Sequence, residues 1–137
     1  MFIFFDTETT GIEKEDRLYQ LTCKFETGEI VNELFKLKSP IAIEPMSIHH
    51  ITNEMVADKP AFKDSPEYQK WVGLLKDDTS MFVAHNAKFD VDMLVKEGVH
   101  SQKAICTLKL ARHMDPEGKI PRYSLQYLRY FLGIKIE

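Results

Sequence analysis

The chain opens on an uninterrupted apolar run, Met1–Phe5, closed by Asp6 and, two residues on, Glu8. The aromatic and β-branched residues of Phe2–Phe5 predict a fully buried strand. Such a strand needs hydrogen-bonded neighbours and a covering layer, so the rest of the chain must supply them. The run is far too short to cross a bilayer and lacks the basic start and small-residue cleavage site of a secretion signal. A single cytoplasmic domain spanning residues 1–137, with no membrane partner, is therefore expected.

The remaining segments follow a mixed order. Leu18–Phe25 and Ile30–Leu37 read as strands joined by a hairpin turn at Thr27-Gly28-Glu29. In the first of them Leu18, Gln20 and Thr22 alternate with Tyr19, Leu21 and Cys23, which makes one face the more apolar. An irregular stretch from Ser39 to Lys63 carries prolines at 40, 45 and 60. Ser65-Pro66-Glu67 has the composition of a helix start, and Tyr68, Trp71, Val72 and Leu75 recur at helical spacing behind it. Met81–Ala84 predicts a short buried strand, and Ala87–Glu97 a helix ended by Gly98. Ile105–Arg112 is ambiguous. Ser124 starts a last helix striped by Leu125, Leu128 and Leu132 and stopped by Gly133. Three strands followed by alternating helix and strand predict an α/β fold with a mixed sheet.

Two strings carry chemistry. In Phe4-Phe5-Asp6-Thr7-Glu8-Thr9-Thr10-Gly11, Asp6 and Glu8 share one face of a strand end. Two carboxylates that close raise each other's pKa unless a cation lies between them, and hard oxygen ligands suit Mg²⁺ or Mn²⁺. The plainer alternative is a strand ending in solvated acids. In Phe82-Val83-Ala84-His85-Asn86-Ala87-Lys88-Phe89-Asp90, helix geometry separates two neighbouring aspartates. Asp92 falls on a solvated stripe with Lys88 and Lys96, whereas Asp90 falls at the edge of the apolar face. A carboxylate facing a sheet costs several kcal/mol unless it is paired or metal-bound, so Asp90 either joins a site or caps a buried donor.

These two strings resemble the first and second motifs of the DEDD-type 3′–5′ exonucleases, the family of the proofreading subunit of bacterial DNA polymerase III. Ile48-His49-His50-Ile51-Thr52 stands where the family carries a His-Gly-Ile-Thr-like loop, and Ile105–Arg112 and Tyr123–Leu128 are similar to segments that follow, so the likeness runs from Phe2 to Ile134. It implies a ribonuclease H-like mixed β-sheet flanked by helices, and metal-dependent release of nucleoside 5′-monophosphates from the 3′ end of DNA or RNA. It implies Asp6, Glu8 and Asp90 as catalytic metal ligands for Mg²⁺ or Mn²⁺, two ions in the complete family site. Thr9, Thr10 and Ile12 then match substrate contacts at the terminal nucleotide, with His49 and Asn86 as further pocket candidates. His50 stands where the family carries glycine.

The family's third motif, a histidine with an aspartate five residues later on a last helix, has no counterpart here. His113 and Asp115 are two apart in a Pro-Glu-Gly loop, and His85 and Asp90 belong to the second motif. A C-terminally truncated domain lacking the last helix is expected, with weak or no activity, since a metal ligand and the general base are missing. Apolar surface left bare by that helix would favour self-association, and a larger polymerase or repair assembly is the other expected context. A catalytically dead module that binds strand ends or partners is the alternative reading. A phosphatase of the haloacid dehalogenase type fits poorly, because Glu8 replaces its second aspartate.

Charge narrows the partners. With 18 Lys+Arg against 21 Asp+Glu the net charge is −3, so a nucleic acid could not be held by overall charge and needs bound cations or a local basic rim. Lys109, Arg112, Lys119, Arg122 and Arg129 form a loose basic C-terminal third. Cys23 and Cys106 make no disulfide framework or zinc spacing and read as small buried apolar groups. Trp71 and Tyr68 read as helix core, His100 and His113 as surface.

Overall fold

In a computed structural model, which describes residues 1–76, 79–100 and 104–136, five strands form one mixed sheet. They are β1 (Phe2–Thr9), β2 (Leu18–Phe25), β3 (Ile30–Leu34), β4 (Met81–Ala84) and β5 (Ala104–Cys106), in the spatial order β3-β2-β1-β4-β5. β1 pairs antiparallel with β2 and parallel with β4, so the opening apolar run is the central strand. The β2–β3 turn is the expected hairpin, with Phe25 N–H donating to Glu29 O at 2.8 Å and Gly28 at a positive φ of 92°. The helices are α1 (Ile43–His49), α2 (Asn53–Ala57), α3 (Pro66–Lys76), α4 (Ala87–Lys96), α5 (Thr107–Met114) and α6 (Leu125–Phe131).

One face of the sheet holds the main core. Ile3, Phe5, Leu21, Cys23, Phe25 and Phe82 pack there against Trp71 of α3 and Ala87 and Leu94 of α4. The Trp71 ring lies 5.5 Å from Phe5 and 5.3 Å from Phe82, centroid to centroid. Helix α3 starts as its sequence predicts, with Ser65 Oγ accepting the Tyr68 N–H at 3.2 Å. Cys23 is buried and Cys106 half-buried, both free. The Leu75 side chain and Glu137 lie outside the described set.

The other face corrects the reading of a fully buried strand. Phe2 and Phe4 are 45% and 49% exposed, because α3 and α4 cover only the face that carries Ile3 and Phe5. The α6 stripe is corrected in the same way. Leu128 is buried, but Leu125 and Leu132 are each 59% exposed, so only the middle of the stripe is packed. The Ser124 side chain makes no capping bond. β3 also stops at Leu34 rather than Leu37, and the stretch after it folds into two short helices and a 3-10 turn at Phe62–Asp64.

That stretch builds a second, smaller core from Tyr19, Ile41, Ile51 and Val56. Tyr19 joins it through an irregularity in β2. Glu8 pairs with Gln20 but Thr9 pairs with Leu18, so Tyr19 is the extra residue of a β-bulge. Leu18 stays in the main core while Tyr19 leaves it for the second cluster.

Helix α1 ends at His50, whose φ of 61° is left-handed. Glycine would adopt that conformation without the cost that a Cβ adds. His50→Gly is expected to raise stability by about 0.5–1 kcal/mol, read as a higher urea midpoint with an unchanged slope.

Candidate active site

The parallel pairing of β1 with β4 covers only Phe2–Phe4 against Met81–Val83, so the later half of β1 runs on past its neighbour. β4 ends at Ala84, and Asn86, at a left-handed φ of 70°, turns the chain into α4. The first turn of α4 then meets β1 at Thr7. Asp90 Oδ1 accepts the Thr7 backbone N–H at 3.0 Å and the Thr7 hydroxyl at 2.8 Å. Asp90 is only 2% exposed, which makes these bonds the reason a carboxylate is tolerated there.

Alternation along β1 turns Asp6 and Glu8 to the opposite side from Thr7, with Asp6 exposed and Glu8 half-buried. All three acids are biased toward protonation. Burial pushes the Asp90 carboxyl up to about 6, the Thr7 hydrogen bond opposes this, and the charge of Asp6 adds to it. Burial also raises Glu8, followed by the charges of Asp6 and Asp90. Asp6 is raised by burial against the opposing Thr7 N–H and the His85 charge. The three acids therefore feel one another, although they come from segments 83 residues apart. As placed, no three His, Cys, Asp or Glu side chains among the described residues stand close enough to hold a metal ion. The donor set is nonetheless made of hard carboxylate oxygens whose mutual repulsion a divalent cation relieves.

The other expected site residues divide. Thr9 Oγ1 donates to Gly11 O at 2.9 Å, and Thr10 Oγ1 donates to Asp16 Oδ1 at 2.6 Å. Both hydroxyls thus hold the turn that follows β1. Gly11 is tightly fitted, for an added Cβ would lie 2.6 Å from Asp16 Oδ2. Ile12 is 75% exposed, an apolar side chain turned to solvent. Asn86 is exposed. His49 belongs to the second core, its ring 4.9 Å from that of Tyr19 and its Nδ1 accepting the Ile51 N–H at 3.0 Å. Its proton accordingly sits on Nε2, which is buried and, like the Tyr19 hydroxyl, has no hydrogen-bond partner among the described residues.

Sequence reasoning missed Thr7 and His85. Thr7 could have been found from its place between two same-facing acids, because alternation points its hydroxyl inward. His85 stands in the second string directly after β4, and its Nδ1 lies 3.0 Å from Thr107 Oγ1. The four described acids after Asp90 are engaged elsewhere. Asp92 pairs with Lys88, Glu97 faces Arg17 at 3.9 Å, and Glu117 pairs with Lys119 at 2.6 Å. Asp115 ties its own loop, accepting from Lys119 N, Ile120 N and the Tyr123 hydroxyl.

A family model described as exonuclease, of the RNase T type, matches residues 3–136. The PolC-type DNA polymerase III of Staphylococcus aureus is 28% identical over 98% of the chain, which spans about a tenth of the length of such curated relatives. The solved structure of exonuclease X in complex with 5′ overhanging duplex DNA is 28% identical, with a TM-score of 0.73, covering 100% of this chain and 76% of that one. Brucella melitensis NrnC with bound Mg²⁺ is 20% identical with a TM-score of 0.60, covering 99% of this chain and 55% of that one, and shows the fold alone.

Proposed function

The chain belongs to the exonuclease family whose model spans residues 3–136, as its two motifs anticipate, and from that membership we propose that it trims nucleic acid from the 3′ end. The mixed five-stranded sheet is the family's ribonuclease H-like fold. The family and its neighbours, one of them with bound Mg²⁺, support a hydrolytic, divalent-metal-dependent exonuclease that binds nucleic acid. No helix among the described residues is long and apolar enough to cross a membrane. The finer reading is release of nucleoside 5′-monophosphates from single-stranded DNA or RNA in the cytoplasm, by one domain that serves alone, as a homo-oligomer or within a polymerase or repair assembly.

One observation carries this reading: Thr7 fixes Asp90 by two hydrogen bonds at the level of Asp6 and Glu8. Asp6, Glu8 and Asp90 would hold Mg²⁺ or Mn²⁺, and both Thr7 bonds fall on Asp90 Oδ1, which leaves Oδ2 for the ion or its water. An ion held there would supply a water of lowered pKa and charge screening for the leaving oxygen. Thr9 and Thr10 shape the turn that receives the terminal sugar, Ile12 offers an exposed apolar surface to the terminal base, and His49 and Asn86 complete the pocket.

The engagement of Asp92, Glu97, Asp115 and Glu117 elsewhere favours a slow or inactive chain that still binds strand ends, since no fourth carboxylate reaches the site from them. Mn²⁺ titration by calorimetry tests the reading. The chain should bind Mn²⁺ measurably and Asp6→Ala should reduce affinity at least tenfold; equal, negligible heats in both would sink it.

A further inference from the structure

In this chain of net negative charge, positive side chains gather beside the turn that follows β1. A cavity of about 670 Å³ opens there, with Thr10 in its wall. Arg17, Lys36, Lys38, Lys63 and Lys96 line it. They come from four separate stretches of chain, so no run in the sequence announces them. Glu15, Asp64 and Glu97 also line it, which leaves an excess of two positive charges in a chain of net charge −3.

The cations differ in how they are occupied. Lys96 Nζ donates to Glu13 O at 2.6 Å, and Arg17 Nη1 donates to Lys14 O and Asp16 O at 2.9 and 2.8 Å. Both are fixed by backbone carbonyls, with Arg17 Nε only at 3.9 Å from Glu97. Lys36, Lys38 and Lys63 are exposed and make no ion pair or side-chain hydrogen bond among the described residues. Two anchored cations and three free ones therefore face one concavity.

We infer that this cavity is a second subsite that grips the phosphodiester backbone of the nucleic acid whose 3′ end lies at Asp6, Glu8 and Asp90. The inference rests on the exonuclease reading. Thr10 connects the two places, since it is two residues beyond Glu8 and forms part of the cavity wall. The chemistry favours a backbone over a small phosphate ligand. A compact phosphate site uses planar, bidentate or buried donors, whereas flexible, exposed lysines act as point charges that neutralise phosphates without reading bases. This is also how binding strength rises with strand length and falls with salt.

The test compares the chain with the triple variant Lys36→Glu/Lys38→Glu/Lys63→Glu, in EDTA so that nothing is cleaved. Fluorescence anisotropy follows a dinucleotide and a strand of about 12 nucleotides, a length within the usual footprint of single-strand binding surfaces. The wild-type chain should favour the longer strand. In the variant that preference should fall at least tenfold, and the slope of log K against log salt should flatten by about 2, at roughly 0.7 per phosphate contact on a single strand. Dinucleotide affinity and the melting temperature should stay as they were. The same loss with Lys→Gln at the three positions would tie the effect to removed charge rather than added repulsion. An unchanged length preference or salt slope overturns the subsite. Loss of inorganic tripolyphosphate binding without loss of strand binding overturns it too, in favour of a small-anion site. Mn²⁺ calorimetry on the same proteins reads the exonuclease assignment separately, because none of the three lysines belongs to the acid cluster.

Discussion

At pH 7.5 in EDTA, Asp90→Asn should melt above the wild-type chain, and Mn²⁺ should reverse that order. The sign follows from the raised carboxyl. Its pKa of about 6 in the fold, against an ordinary 3.8, means that ionisation opposes folding. The contribution is fully present below about pH 4 and is lost as pH rises through about 6. A shift of about two units corresponds to roughly 3 kcal/mol at neutral pH. Asp6 and Glu8 are raised in the same direction. Asparagine keeps an oxygen for both Thr7 bonds and removes one charge. The gap between variant and wild type should close as pH falls toward 4. Mn²⁺ in thousandfold excess over its Kd would stabilise the wild-type chain by about 4.1 kcal/mol and the variant far less. Melting curves that superimpose with and without metal at both pH values would refute the account.

Trp71→Ala should be the most damaging single core change. Trp71 is 1% exposed and bridges the two central strands, with its ring against Phe5 and Phe82. Deleting a buried tryptophan side chain costs about 3–5 kcal/mol, and a domain of ordinary stability has only about 5–15 to lose. The urea midpoint should drop accordingly, whereas Trp71→Phe should cost clearly less because the aromatic contact survives. Phe5 immediately precedes Asp6, so the alanine variant should also weaken Mn²⁺ binding in proportion to its unfolded fraction. A loss below 1 kcal/mol would mean that the face is not the close-packed layer described.

Much of this could be read from the residues because local rules and tertiary demands agree. The hairpin at Gly28, the Ser65 start of α3, the Gly98 end of α4 and the separation of Asp90 from Asp92 all follow from short-range chemistry. Where packing decides, reading failed. Phe2 and Phe4 look buried because composition cannot tell a strand covered on both faces from one covered on a single face. The short helices α1 and α2 escaped because five to seven residues with a proline among them give too little periodicity. Tyr19 reads as one more member of the Leu21, Cys23 and Phe25 face, and only the bulge sends it elsewhere. The cavity lysines were invisible for the same reason as the Thr7 bond to Asp90, because tertiary structure alone brings them together.

That bond also sets an order of assembly. β1, β2 and β3 are linked by short turns and can zip up early, carrying Asp6 and Glu8 with them. Asp90 arrives only after the chain closes a loop of 83 residues, the slow and entropically expensive kind of closure. A chain in which that loop is open presents two acids without the third. The metal-binding acid cluster is thus a property of the closed tertiary fold rather than of either segment alone.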